Sequence, residues 1–159
     1  MIVLVYDSLF GNTAIIAHKL AETARKLGNE LVEMRVNEIN NDLLKNASTL
    51  IVGSPTQNFN ASKPMLEFLD KVDPESVKNK KTVVFDTRID LNSIDSKFLK
   101  WLVNRGGYAT SPISKKLKKK GALIVGAEGF IVSDREGPLL EGETERAEKW
   151  LKDTLSKEN

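Results

Sequence analysis

Apolar strand-like runs alternating with helix-period stretches predict an α/β protein: a five-stranded parallel sheet covered by helices on both faces, a three-layer α/β/α sandwich. Two observations carry this. The run Ile2-Val3-Leu4-Val5-Tyr6 lacks the alternation of a half-exposed strand, as a strand buried on both faces should. Directly after it, Ile15, Ile16, Leu20, Ala24 and Leu27 recur at helical spacing up to Gly28, a natural helix stop. The 159 residues suit one domain spanning 1–159.

The remaining elements follow in order. Residues 30–36 alternate like a strand at a sheet edge. A short helix near Asp42 and Lys45 leads to a third strand at Leu50-Ile51-Val52, whose exit is the polar loop 53–60. Pro64 suits the first turn of a helix that carries Met65, Leu66, Phe68 and Leu69 inward. Lys81-Thr82-Val83-Val84-Phe85 is a fourth strand, with Asp86-Thr87-Arg88 at its end. Residues 94–103 look helical and hold Trp101, expected to pack in the core; Arg105-Gly106-Gly107-Tyr108 ends that helix. Ser111 as cap and Pro112 as first residue start another helix. A fifth strand is expected at 122–126, with 129–132 as its extension or a side hairpin, and a last helix at 143–155.

Composition narrows the chemistry. The chain has no cysteine, which excludes disulfides, thiolate zinc sites, cysteine nucleophiles and iron–sulfur clusters. The single histidine, His18, falls mid-helix at a solvated position, so neither a Ser-His hydrolase nor any catalytic residue is expected. No apolar run approaches the ~20 residues of a membrane span, and the N-terminus shows no basic region or cleavage signature before its first strand. The cytoplasm is the expected location, with no membrane association. The net charge of +2 is unevenly spread: Lys115, Lys116, Lys118, Lys119 and Lys120 crowd one helix end, where they suit the negative end of the dipole. No aromatic residue interleaves with them, so nucleic acid is not an expected partner.

The organising stretch is Ser8-Leu9-Phe10-Gly11-Asn12-Thr13, between the first strand and the first helix. Such a turn aims backbone N–H groups and the positive helix end at one point, where an anion can sit. Gly11 allows close backbone approach, and Ser8, Asn12 and Thr13 add side-chain donors. A triphosphate loop needs Gly-Lys-Ser/Thr and a dinucleotide fingerprint three spaced glycines; neither is present, which leaves a site for a single phosphate. A turn capped only for structural reasons would use the same residues. Ligands in parallel α/β sheets sit beyond the carboxyl ends of the strands. That groups three exits: 8–13, Ser54-Pro55-Thr56-Gln57-Asn58-Phe59-Asn60, and Asp86-Thr87-Arg88.

These exits, with Tyr6-Asp7 before the first, Gly53 before the second, Lys63-Pro64, Phe85, Glu128-Gly129-Phe130 and Glu136-Gly137-Pro138-Leu139, resemble the flavodoxin family over nearly the whole chain. The resemblance implies strand order 2-1-3-4-5 and bound FMN. Its phosphate would lie on the 8–13 loop (Ser8, Leu9, Phe10, Gly11, Asn12, Thr13). Its ring would lie between Ser54, Pro55, Thr56, Gln57, Asn58 and Phe59 on one side and Asp86, Thr87 and Arg88 on the other. Phe59 is the expected ring-packing residue, with backbone N–H groups near Thr87 and Arg88 serving the pyrimidine edge. Arg88, as a positive charge there, would raise the potential of the hydroquinone couple. In the family a peptide of the second loop turns over to meet flavin N5; here Asn58 and Asn60 are the residues that tolerate the positive φ involved. Three departures stand out: Phe10 where many members have a hydroxyl, Gln57 where an aromatic residue follows Thr56, and mild basicity instead of strong acidity. The implied function is electron transfer to redox partner proteins, by a monomer or weak homo-oligomer. The alternatives are an FMN-dependent NAD(P)H or quinone oxidoreductase of the same fold, and a flavin-free signalling module. A response regulator needs an aspartate where Gly53-Ser54 stands.

Overall fold

A computed structural model describes residues 1–39, 41–90, 96–97, 100–101 and 107–156. Fully within the described residues, six strands, β1 (Ile2–Tyr6), β2 (Leu31–Arg35), β3 (Thr49–Gln57), β4 (Asn60–Ala61), β5 (Lys81–Ile89) and β6 (Leu123–Val132), are interspersed with five α-helices. The helices are α1 (Asn12–Lys26), α2 (Asn41–Asn46), α3 (Lys63–Lys71), α4 (Thr110–Lys119) and α5 (Glu143–Ser156). The sheet order is β2-β1-β3-β5-β6, parallel throughout, with β4 paired antiparallel to the end of β3. Setting aside the short β4, this is the expected order 2-1-3-4-5.

The unalternated apolar strands now have a cause. In β1, Ile2, Leu4 and Tyr6 point to one face, where Ile16, Leu20 and Ala24 of α1 and Ala147 and Leu151 of α5 cover them. Val3 and Val5 point to the other, under Leu44 of α2, Met65 and Leu69 of α3, and Ile113 and Leu117 of α4. A period-2 chain with a core on each side must be apolar at every position. Lys80 Nζ donates to the carbonyls of Leu44, Lys45 and Ala47, each at 2.6 Å, and so caps the otherwise unsatisfied end of α2.

Several elements differ from expectation. The third and fourth strands run on through Gln57 and Ile89, so Ser54 to Gln57 and Asp86 to Arg88 are strand residues and not loop residues. Strand and extension at 122–132 form one element, β6, with a register shift opposite Thr82 and Val83 that leaves Val125 as the extra residue of an edge bulge. Helix α4 begins two residues earlier than expected, at Thr110, so Ala109 and not Ser111 stands at its cap position. The expected helix at 94–103 lies largely outside the described residues; within it Trp101 is half exposed, not packed in the core. His18 is exposed on α1, paired with Glu33 of β2. Among the described residues no helix is long and apolar enough to cross a membrane.

Candidate functional site

Parallel register aligns the carboxyl ends of the three central strands. Tyr6 lies opposite Gly53, Gly53 opposite Phe85, and Pro55 opposite Thr87. A side chain on Gly53 would place its Cβ 2.1 Å from the Phe85 ring, so glycine is what lets Phe85 fill the floor beneath these ends. The 8–13 turn is fixed from three directions. Thr13 and Thr87 hydroxyls hydrogen-bond at 2.8 Å, Ala14 N–H donates to Ser8 Oγ at 3.2 Å, and Arg35 Nη1 donates to the Ser8 carbonyl at 2.8 Å. Gly11 caps α1 at φ 91°, and a Cβ there would meet nothing within 4 Å. The amides of Asn12 and Thr13 lie in the first turn of α1, where no earlier helix carbonyl can reach them.

At the next exit, Gln57 and Asn60 pair across a two-residue turn, with Asn58 at φ 47° and Phe59 at φ 63°. Positive φ at both central residues is the type I′ hairpin turn. Asn58 takes the expected left-handed conformation; the second residue to do so is Phe59, not Asn60. Ser54 is fully buried, accepting from Ser62 N–H at 2.9 Å and donating to the Pro55 carbonyl at 2.9 Å. Thr56 Oγ1 accepts from Ala109 N–H at 3.0 Å, tying this hairpin to the start of α4.

On β5, Asp86 is fully buried and binds Arg88 through both oxygens, to Nε at 2.6 Å and Nη2 at 2.7 Å; Thr110 N–H adds a third bond at 2.9 Å. Burial pushes the Asp86 carboxyl up, while the Arg88 guanidinium and Thr110 N–H favour its ionised form. The Tyr108 ring lies 3.7 Å from the Arg88 guanidinium carbon, and Gly129 leaves room for that guanidinium, whose Nε would lie 2.0 Å from a Cβ there. The picture of Arg88 as an uncompensated positive charge is therefore corrected: its charge is matched by Asp86, so its effect on a neighbouring flavin is largely cancelled.

Between these ends runs a cleft. Leu9, Phe10, Asn12, Thr13, Pro55, Thr56, Thr87 and Arg88 line one part, and Phe10, Pro55, Thr56, Gln57 and Asn58 the adjoining part. Ser8, Gly11, Ser54, Phe59 and Asp86, also expected at the site, are not in its lining. Ile89, Val132 and Arg135 are, and sequence reasoning missed them. The signal for Arg135 was its place beside Glu136-Gly137-Pro138, a block already singled out. That turn folds back onto α1: Asn12 Nδ2 donates to the Glu136 carbonyl at 2.9 Å, and Ser133 N–H to the Pro138 carbonyl at 2.8 Å.

A doubly wound α/β sheet with a cleft over its carboxyl edge defines a class of ligand-binding proteins. Within that class the chain belongs to the flavodoxin family, which it matches over residues 4–155; proteins of this family bind FMN. No curated protein matches the sequence. Among solved structures the chain is similar to a flavodoxin from the domain Archaea, at 19% identity and TM-score 0.74, with 98% of this chain and 96% of that one covered. It is also similar to oxidised flavodoxin 1 from Bacillus cereus, at 21% identity and TM-score 0.70, covering 98% and 97%. Rubredoxin oxygen:oxidoreductase from Desulfovibrio gigas is similar at 20% identity and TM-score 0.69; there 98% of this chain matches 37% of the other.

Proposed function

We propose that this protein, as a single domain, binds FMN in the cleft over the sheet's carboxyl edge and serves as a cytoplasmic electron carrier between redox partner proteins. The observation that carries the reading is the open turn at the head of α1, which faces the same cleft as the β3–β4 hairpin. The residues present suit the cofactor. A phosphate at the head of α1 would meet the first-turn amides and the open space beside Gly11. Phe10, Pro55 and Ile89 supply apolar walls for a flat ring. FMN, when bound, supplies the redox chemistry, and the protein sets its potential and access. Asp86 and Arg88 hold the β5 wall rigid, while Ser54 and Thr56 hold the hairpin wall.

The test is the visible absorption spectrum of the purified protein before and after adding FMN, followed by assay with NAD(P)H and quinones. Flavin bands that stay with the protein through gel filtration, with no turnover of either substrate class, are the expected result. Turnover would favour the oxidoreductase alternative. Failure to retain FMN would overturn the reading.

A further inference from the structure

Among the described residues, the cleft is lined by two charged side chains, Arg88 and Arg135, and by no carboxylate. Arg88 is already matched by Asp86. Arg35 is committed to the Ser8 carbonyl of the turn and lies 5.4 Å from the Tyr6 ring centre. Among the described residues Arg135 has no carboxylate partner, and it lines both parts of the cleft beside Phe10. The turn that carries it is tied to the head of α1: the Glu136 carbonyl next to it accepts from the side-chain amide of Asn12, the first residue of α1. Gly137 leaves space for the Asn12 amide, which would lie 2.5 Å from a Cβ there, so the turn carrying Arg135 rests directly on the helix's positive end. Arg135 and the first residues of α1, Asn12 and Thr13, line the same part of the cleft, and a cation sharing a cleft with a helix N-terminus is better placed when an anion sits between them.

We propose that Arg135 is a phosphate-binding and specificity-determining residue, which closes over the cleft and adds a charge-assisted contact to a ligand phosphate otherwise held by backbone dipoles. The inference rests on the flavin reading above and goes beyond it, since helix dipoles alone suffice for a phosphate. Selection of FMN over riboflavin, which lacks the phosphate, would then depend on a side chain from the far edge of the sheet.

The test is fluorescence titration of wild-type, Arg135→Ala and Arg135→Glu proteins with FMN and with riboflavin. Arg135→Ala should weaken FMN about tenfold, the size of one exposed charge-assisted hydrogen bond, and Arg135→Glu should weaken it further. Riboflavin affinity should stay the same in all three, and melting curves should coincide because Arg135 is exposed. Equal losses for both flavins, or no loss for FMN, would overturn this inference and leave the flavin reading standing. Wild-type protein that binds neither flavin would overturn both.

Discussion

Asp86 and Arg88 show how one neighbouring residue reverses the meaning of a charge. They stand two apart on β5, and residues i and i+2 of a strand share a face. The fully buried carboxylate therefore finds its cation within its own strand. Replacing Arg88 with Ala would leave the buried Asp86 carboxyl without its partner, a change that typically costs about 3–5 kcal/mol. Urea unfolding of Arg88→Ala should show a loss of that size, and the double variant Asp86→Asn with Arg88→Ala should recover part of it. The spacing was legible in the sequence, but ending the fourth strand at Phe85 hid it: treated as loop residues, the two need not have met. The contact of the Arg135–Gly137 turn with the head of α1, through Asn12 and the Glu136 carbonyl, was not legible, because it depends on a return of the chain across the far edge of the sheet.

At the scale of elements, the β3–β4 hairpin departs from local preference at Phe59, held at φ 63° where a side chain is rarely found. A residue in this left-handed conformation costs roughly 1–2 kcal/mol unless it is glycine. Phe59→Gly would make the turn Asn-Gly, the favoured pair for type I′. Since Phe59 does not line the cleft, flavin affinity should stay within about twofold of wild type, a change under ~0.5 kcal/mol, and thermal stability should not fall. Marked loss of flavin binding in this variant would return Phe59 to the site.

The start of α5 makes a second prediction. Glu143 accepts from Ile131 N–H at 2.6 Å and from Arg146 Nε at 2.8 Å, clamping the helix to β6. Burial works against its charge, but Arg146 and the Ile131 N–H together hold its carboxyl below the ordinary carboxylate value. A carboxyl depressed in the folded state contributes stability above the unfolded value of about 4.5, and that contribution is lost as pH falls through the folded value. Denaturation curves should show stability declining below about pH 4.5, with the decline shallower in Glu143→Gln. At neutral pH that variant should be weaker by roughly 1–2 kcal/mol, the loss of charged hydrogen bonds.

At the scale of the molecule, the parallel sheet and its two-sided core followed from period, since apolar strands without alternation and helices with one apolar stripe leave little other than a doubly wound sheet; the strand order was implied by the family resemblance. The three ligand-facing exits were found for the same reason, since the fold decides which loops share an edge. The lining was less legible than the loops, because Ser54 and Phe59 are not among the residues that line the cleft while Ile89, Val132 and Arg135 enter it from strand ends and a distant turn. Phe10 reads differently once placed. As a replacement for a hydroxyl it subtracts a phosphate contact; as a partly exposed ring shared by both parts of the cleft it adds an apolar wall.

The central claim is that this cleft holds FMN. Its most direct test is a titration of FMN with the purified, flavin-free protein, following flavin fluorescence at neutral pH. Saturable quenching with one FMN per chain is the expected result. Fluorescence that stays unchanged at protein concentrations well above those of FMN would contradict it.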